Sequence, residues 1–257
     1  MRKTFGLFVG LIWGVSMATC QSSAAAEVKV LTAGAFKQIV LAVVPAFERE
    51  SGHKVVVDND TVGGLTKRIE GGEAFDVAIL TPAAIDGLIK SRKIADGSRT
   101  AVARVGVGVM VKAGAPVPDI GTVEAFKRAL LAAKSVAYID PASGGSSGIY
   151  FASLLDKLGI ADAVKPKAKL KQGGYVADLV KSGEAEMGVQ QISEIIPVKE
   201  VTLVGPLPAE VQNYTTYAAG LGASAKESGA AKALIKALSG PAAAAVLKEK
   251  GMEQPAS

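Results

Sequence analysis

Apolar and polar positions along the chain repeat with a period that switches between two and about 3.6 residues, the signatures of strand and helix. Val28-Lys29-Val30-Leu31-Thr32 reads as a strand. After Ala33-Gly34-Ala35-Phe36, the apolar positions Ile39, Val40, Val43, Val44 and Phe47 recur at helical spacing toward Ser51. Val55–Asp58 is a second strand. The turn Thr61-Val62-Gly63-Gly64 leads into a helix over Leu65–Glu70, and Phe75–Leu80 is a third strand. Thr81-Pro82 opens a further helix, with proline in the favoured first turn. This alternation predicts a mainly parallel sheet covered by helices.

Val102–Val111 is a longer β run, of a length that suits a strand passing from one lobe to another. A second α/β unit follows. It comprises a helix near Val123–Ala133, a strand at Ser135–Ile139, a Gly/Ser loop at Ala142–Gly148 and a helix at Ile149–Leu158. A strand at Lys167–Leu170, the turn Gly173-Gly174, a helix at Val176–Lys181 and a strand at Met187–Gln190 complete it. Tyr214–Leu221 reads as a return strand, and two Ala-rich helices near Lys226–Leu238 and Ala242–Lys248 are expected to pack on the first unit. The expected fold is α/β with two lobes, residues 27–103 plus 220–257 and residues 104–219, joined by two β crossovers. Small ligands favour the cleft between such lobes, which commonly close about a hinge.

The N-terminus changes where this fold is expected to work. Met1-Arg2-Lys3 precedes an apolar run from Phe5 to Met17 and the small residues Ser22–Ala26, the order of a secretory signal peptide, with cleavage expected between Ala26 and Glu27. The apolar run is shorter than the ~20 residues of a membrane span. A periplasmic protein, not stably inserted in the membrane after cleavage, is the expectation. Lipidation at Cys20 is the rival reading, in the unfavourable context Met17-Ala18-Thr19-Cys20.

Composition narrows the chemistry. The only Cys and the only Trp (Trp13) lie in the leader, and the only His is His53. The mature chain therefore has no thiol chemistry and no His-rich metal site. His53 falls in Ser51-Gly52-His53-Lys54, which reads as a solvated turn rather than a catalytic position. Removing Arg2 and Lys3 lowers the formal charge from +5 to +3, with lysines and acids interleaved and aromatics at 5%. Nucleic-acid binding has no support, whereas a small anionic ligand is compatible with the mildly positive balance. No cofactor and no metal are expected, and a monomer is the expected state.

Four strand-to-helix turns share one character: Gly34-Ala35-Phe36, Thr61-Val62-Gly63-Gly64, Ser143-Gly144-Gly145-Ser146-Ser147-Gly148 and Gly173-Gly174-Tyr175. The first N–H groups of a helix lack internal partners and carry partial positive charge, so small residues there let an anion approach the backbone. Ordinary capping explains any one of these turns. The run Pro141–Gly148 is smaller and more polar than a cap requires, which favours ligand contact. Arg104, near the start of the long β run, offers a planar fork for a carboxylate. Gln190 and Gln191 sit at a strand's C-terminal end, where open α/β sheets place their ligands. Tyr214 and Tyr217 read as core or cleft wall.

These features resemble the bacterial extracellular solute-binding proteins of the molybdate-binding type. The resemblance is carried by Gly64-Leu65-Thr66-Lys67-Arg68-Ile69-Glu70-Gly71-Gly72 with Phe75-Asp76-Val77, and by Asp140-Pro141 with Ser147-Gly148-Ile149-Tyr150 and Leu158-Gly159. Gly183-Glu184-Ala185-Glu186-Met187-Gly188-Val189 and Gly240-Pro241-Ala242-Ala243 complete it. It implies two lobes that close on an anion and deliver it to an ABC importer permease. Members that hold molybdate carry serines at the first two turns and a tyrosine after the late Gly-Val strand. Here those positions are Ala35, Val62-Gly63 and Gln191. A site built for oxyanions loses about 1–3 kcal/mol per unpaired buried group, so the chain is expected to take an organic carboxylate rather than molybdate. The ligand-binding candidates are Gly34, Ala35, Phe36, Thr61, Gly63, Gly64, Arg104, Ser143, Ser146, Ser147, Gly174, Tyr175, Gln190 and Gln191. The family also includes an aconitate isomerase, so the second expectation is proton transfer on an unsaturated tricarboxylate, with Glu194, Asp140 or Tyr175 as candidate bases.

Overall fold

The computed structural model describes residues 25–255. The expected leader lies outside the described residues except for Ala25 and Ala26, and Cys20 lies outside them too. The first lobe opens with β1 (Glu27–Ala33), a tight 3-10 turn at Gly34–Phe36, α1 (Lys37–Ser51), β2 (Lys54–Asp60), α2 (Val62–Glu70), β3 (Val77–Leu80) and α3 (Pro82–Lys90). The long β4 (Thr100–Lys112) leads to α4 (Val123–Ala132), β5 (Val136–Ile139), α5 (Ser146–Lys157), α6 (Ala161–Val164), β6 (Ala168–Lys171) and α7 (Ala177–Ser182). The chain then forms β7 (Met187–Gln191), α8 (Ile192–Ile195), β8 (Val201–Pro206), β9 (Tyr214–Leu221), α9 (Ser228–Ser239) and α10 (Pro241–Glu249).

The strands run in the order β2-β1-β3-β9-β4-β7-β5-β6, with β8 also pairing to β4. β1 pairs in parallel with β2 and β3, and β5 pairs in parallel with β6 and β7. Every pairing of β4 and β9 is antiparallel. β4 belongs to both lobes. Its residues from Thr100 to Gly106 pair with β9, and those from Val107 to Val111 pair with β7. The expected boundaries at 103/104 and 219/220 fall inside β4 and β9, whereas the change of partner comes at Gly106–Val107.

Strand alternation explains the core. Val28, Val30, Val77 and Ile79 enter one apolar cluster with Phe36, Ile39 and Leu234, while Leu31, Ala78 and Leu80 enter another with Leu65 and Ile85. The first sheet is thus buried on both faces, as parallel sheets are. The second lobe repeats this. Val107, Val136, Tyr138 and Val189 pack with Phe126 and Phe151, whereas Met110, Ala137 and Ile139 pack with Val176 and Val180. The Ala-rich α9 and α10 supply Ala231, Leu234, Leu238 and Leu247 to the first-lobe core, as their pattern predicts. Among the described residues no single helix is long and apolar enough to cross a membrane.

Candidate functional site

A narrow cavity of about 40 Å3 opens where the lobes meet. The first lobe contributes Ala33, Gly34, Ala35, Asn59, Asp60, Thr61 and Val62 to its wall. The second contributes Ile139, Gly145, Ser146, Ser147, Gly173, Gly174, Gln191 and Glu194, and Tyr217 of β9 completes it. All four small-residue turns therefore reach one cavity. The reason is topological: β1, β2, β5 and β6 are parallel within their lobes, so the turns that follow them gather at one end of each sheet.

The helix starts differ in how their N–H groups are used. Thr61 caps α2 with its Oγ1, accepting from Gly64 N at 3.0 Å. The 3-10 turn before α1 and the start of α5 at Gly145 have no side-chain cap. Their leading N–H groups have no side-chain acceptor, and Gly34, Ala35, Ser146 and Ser147 line the cleft, which suits an anion.

The lobes touch around this cavity. Thr61 Oγ1 donates to the Ser143 carbonyl at 2.5 Å, and Gly63 N donates to the Gly144 carbonyl at 3.2 Å. Gln38 Nε2 donates to the Tyr175 hydroxyl at 2.6 Å, and Ser193 Oγ donates to the Ala35 carbonyl at 2.8 Å. A Cβ on Gly63 would lie 2.8 Å from Gly144 Cα, so the two backbones meet where no side chain fits.

Of the sequence-predicted residues, Gly34, Ala35, Thr61, Ser146, Ser147, Gly174 and Gln191 line the cavity. Tyr175 lines an adjoining recess. Phe36 is buried in the first-lobe core, Gly63 is taken up by Gly144, and Gly64 packs against the Asp60 carboxylate. Ser143 spends its hydroxyl on the Asp140 carbonyl at 2.7 Å. Gln190 lies behind the wall. Its Oε1 accepts from Val176 N at 2.7 Å and its Nε2 donates to the Gly174 carbonyl at 2.8 Å, which fixes the Gly173-Gly174 turn.

Arg104 is not brought to the cleft. It stands opposite Thr216, while Ala103 stands opposite Tyr217, so alternation puts Arg104 on the other face from the cleft-lining tyrosine. Its guanidinium bonds Glu253 at 2.6 and 2.8 Å and lies 4.7 Å from the Tyr214 ring centroid. Asp140 is also occupied, accepting from Ala142 N at 2.9 Å and from Gln172 Nε2 at 2.6 Å. His53 sits in the turn after α1, its Nδ1 accepting from Ala26 N at 3.2 Å.

Glu194 is the chemically distinctive wall residue. It sits in the first turn of α8, is 8% exposed and has no salt-bridge partner among the described residues. Burial pushes its carboxyl up to about 8, with a hydrogen bond from Gln190 opposing weakly. Its Oε1 would be 2.9 Å from a Cβ on Gly34, so the bare glycine supplies the space the carboxyl fills. Beside it, the Tyr217 hydroxyl donates to Gln191 Oε1 at 2.7 Å, and Gln191 Nε2 donates to Thr215 Oγ1 at 2.9 Å. Burial first, and then the Glu194 charge, hold the Tyr217 phenol above its ordinary range, so it remains a neutral donor. The arrangement offers uncapped amides and hydroxyls for an anion and one proton-carrying group without a counter-ion. Asn59, Asp60, Gly145 and Gly173 also line the cavity, and only their position beside the recognised turns marks them in the sequence.

Known proteins share this architecture. A family model for bacterial extracellular solute-binding proteins matches residues 28–253. The chain is 31% identical over 230 residues to an aconitate isomerase of a Pseudomonas species, covering 87% of this chain and 86% of that one. It is 29% identical over 250 residues to the molybdate-binding protein ModA of Azotobacter vinelandii, covering 93% and 94%. The solved structure of an Azotobacter vinelandii periplasmic molybdate-binding protein superposes with a TM-score of 0.75 at 21% identity, over 89% of this chain and all of that one. The chain belongs to the bacterial extracellular solute-binding protein family.

Proposed function

We propose that this protein binds a small unsaturated polycarboxylate in the interlobe cleft and moves a proton on it, as a periplasmic aconitate isomerase. The observation that carries this reading is Glu194, a buried carboxyl raised to about 8 on the wall of a cavity ringed by uncapped helix starts. Perturbed groups in clefts mark functional sites. Ala33, Ala35, Val62 and Ile139 give the wall an apolar share that suits a carbon skeleton better than a compact oxyanion. Resemblance to an aconitate isomerase over most of the chain agrees with this.

The chemistry is a 1,3-proton shift. In cis-aconitate the methylene carbon is both allylic and next to a carboxylate. The Glu194 carboxylate removes one methylene proton, and the electron pair left behind spreads over the allyl and carboxylate system. Uncapped amides at the starts of α1 and α5 stabilise that charge. Protonated Glu194 then returns a proton to the carbon that was vinylic, the double bond moves by one carbon, and the product is released as the trans isomer. One proton leaves and one returns, so no redox partner is needed. The raised pKa makes Glu194 a stronger base than an ordinary carboxylate.

The lobe contacts support a second reading, a receptor that closes on a carboxylate and delivers it unchanged to an ABC permease. One experiment separates the two. The purified protein is mixed with cis-aconitate and the products are resolved by chromatography, while its melting temperature is followed with the same ligand. Conversion within minutes is expected. A raised melting temperature without conversion would leave only the receptor.

A further inference from the structure

The cavity continues into a recess on the far side of Glu194. Gly34, Asn59, Gly173, Gly174 and Glu194 line both compartments, so they are contiguous. The recess differs from the chamber in carrying lysines, Lys37 from the first turn of α1 and Lys171 from the end of β6. Lys37 is half-buried and has no salt bridge among the described residues. Lys171 Nζ lies 3.4 Å from Asp178, but Lys181 holds the same carboxylate at 2.9 Å. Asp178 thus neutralises one of two lysines, and Lys37 adds a further charge. Of the other acids of the connected space, Asp60 lies 3.9 Å from Arg68 and Glu194 is buried without a cation among the described residues. While Glu194 carries its proton the recess is net cationic, and its two lysines come from opposite lobes.

We propose that this recess is a second carboxylate subsite, in which Lys37 and Lys171 grip the distal carboxylate while the reacting carbon lies beside Glu194. This deepens the isomerase reading and rests on it for the identity of the reacting carbon. Neither lysine pairs with Glu194 within 4 Å, so the subsite leaves the base unneutralised. A dianionic or trianionic ligand bridges both compartments, and a monocarboxylate fills only one. Because the lysines belong to different lobes, an anion held between them draws the two lobes together. Closure and selection for a polyanion then follow from the same two charges. Lys37 and Lys171 bind the substrate here and take no part in the proton transfer.

The test uses the full mature chain and the variants Lys37→Met, Lys171→Met and the double variant, with unliganded melting temperature as the folding control. Titration calorimetry with tricarballylate, a saturated tricarboxylate, and with crotonate, a monocarboxylate, reads the subsite without turnover. Each single variant should weaken tricarballylate binding about tenfold and leave crotonate binding unchanged. KM for cis-aconitate should rise in parallel, with kcat reduced much less. Unchanged tricarballylate affinity in the double variant overturns the subsite even if the wild type isomerises aconitate. Lysine-dependent tricarballylate binding without turnover in the wild type keeps the subsite and removes the isomerase. A wild type that binds no polycarboxylate at millimolar ligand overturns both.

Discussion

The chain treats its carboxyl groups in opposite ways in two places, a cluster at the edge of the first lobe and a lone glutamate on the second lobe's wall of the cleft. In one, Arg68 bonds Glu73 through Nε at 2.6 Å and also bonds Asp58, while Lys29 reaches Glu73 at 2.8 Å. Arg68 first, and then Lys29, hold Glu73 down to about 2. In the other place, Glu194 is more deeply buried, has no cation within ion-pair distance among the described residues and is raised to about 8. The same functional group is thus paired with cations in one place and left without one in the other. The paired cluster ties β2, α2 and the loop before β3 together. The lone glutamate faces the cavity, where a ligand can exploit it. An acid that serves only the fold gains nothing from being buried without a partner.

Substitution at Glu194 breaks this contrast most sharply. Glu194→Gln keeps the size and removes the exchangeable proton, so aconitate turnover should fall by about 10²–10⁴-fold while tricarballylate still raises the melting temperature. Gly34→Ala is subtler. Its Cβ would press on the carboxyl from 2.9 Å, and the flexible side chain would swing away. Turnover should fall about 10–100-fold, with the melting temperature little changed.

The pH dependence should follow the same contrast. As a base, Glu194 must be deprotonated, so kcat/KM should climb as pH rises toward about 8 and level off above it. Stability should run the other way. The folded state holds a proton on Glu194 that the unfolded chain releases near 4.5, so this group's contribution declines as pH rises from 4.5 to about 8. Denaturant titrations at pH 5 and pH 8 should show the decline in the wild type and a smaller one in Glu194→Gln. Glu73 has the opposite sign: its contribution is present above 4.5 and is lost as pH falls toward 2. The smallest effect is expected at Arg68→Met. Its ion pairs are a quarter to a half exposed, so the stability cost should be about 1 kcal/mol, with turnover changed far less than in Glu194→Gln. A large loss of turnover there would erase the distinction between the two places.

Much of this architecture was legible from periodicity. The βα alternation, the crossing strand and the return of the Ala-rich helices follow from apolar spacing, and the four small-residue turns from composition. What escaped depended on parity and on tertiary packing. Arg104 is the clearest case. β4 and β9 pair with an irregularity between Ala101 and Ala103, and such a slip decides which face a residue takes. β8 went unseen because Val201–Pro206 ends in Gly205-Pro206, reads as loop and pairs only with β4, across a register shift. Glu194 stood among three candidate bases that sequence alone left equal. Its burial arises only when α8 packs beside the turn at Gly34. Lys37 and Lys171 carry no local signal, since a lysine at a helix start or strand end is ordinary surface until the fold brings two of them together.

The backbone meeting of Gly63 and Gly144 has a mechanical consequence. A methyl group on either would intrude to 2.8 or 2.6 Å of the opposite Cα, and neither backbone can yield as a side chain would. Any larger residue at these sites becomes a doorstop, propping the halves ajar without touching whatever lies inside. Residence time of a bound ligand should therefore be tunable from the rim, by the thickness of a single side chain, at a cost to any chemistry that needs groups from both lobes.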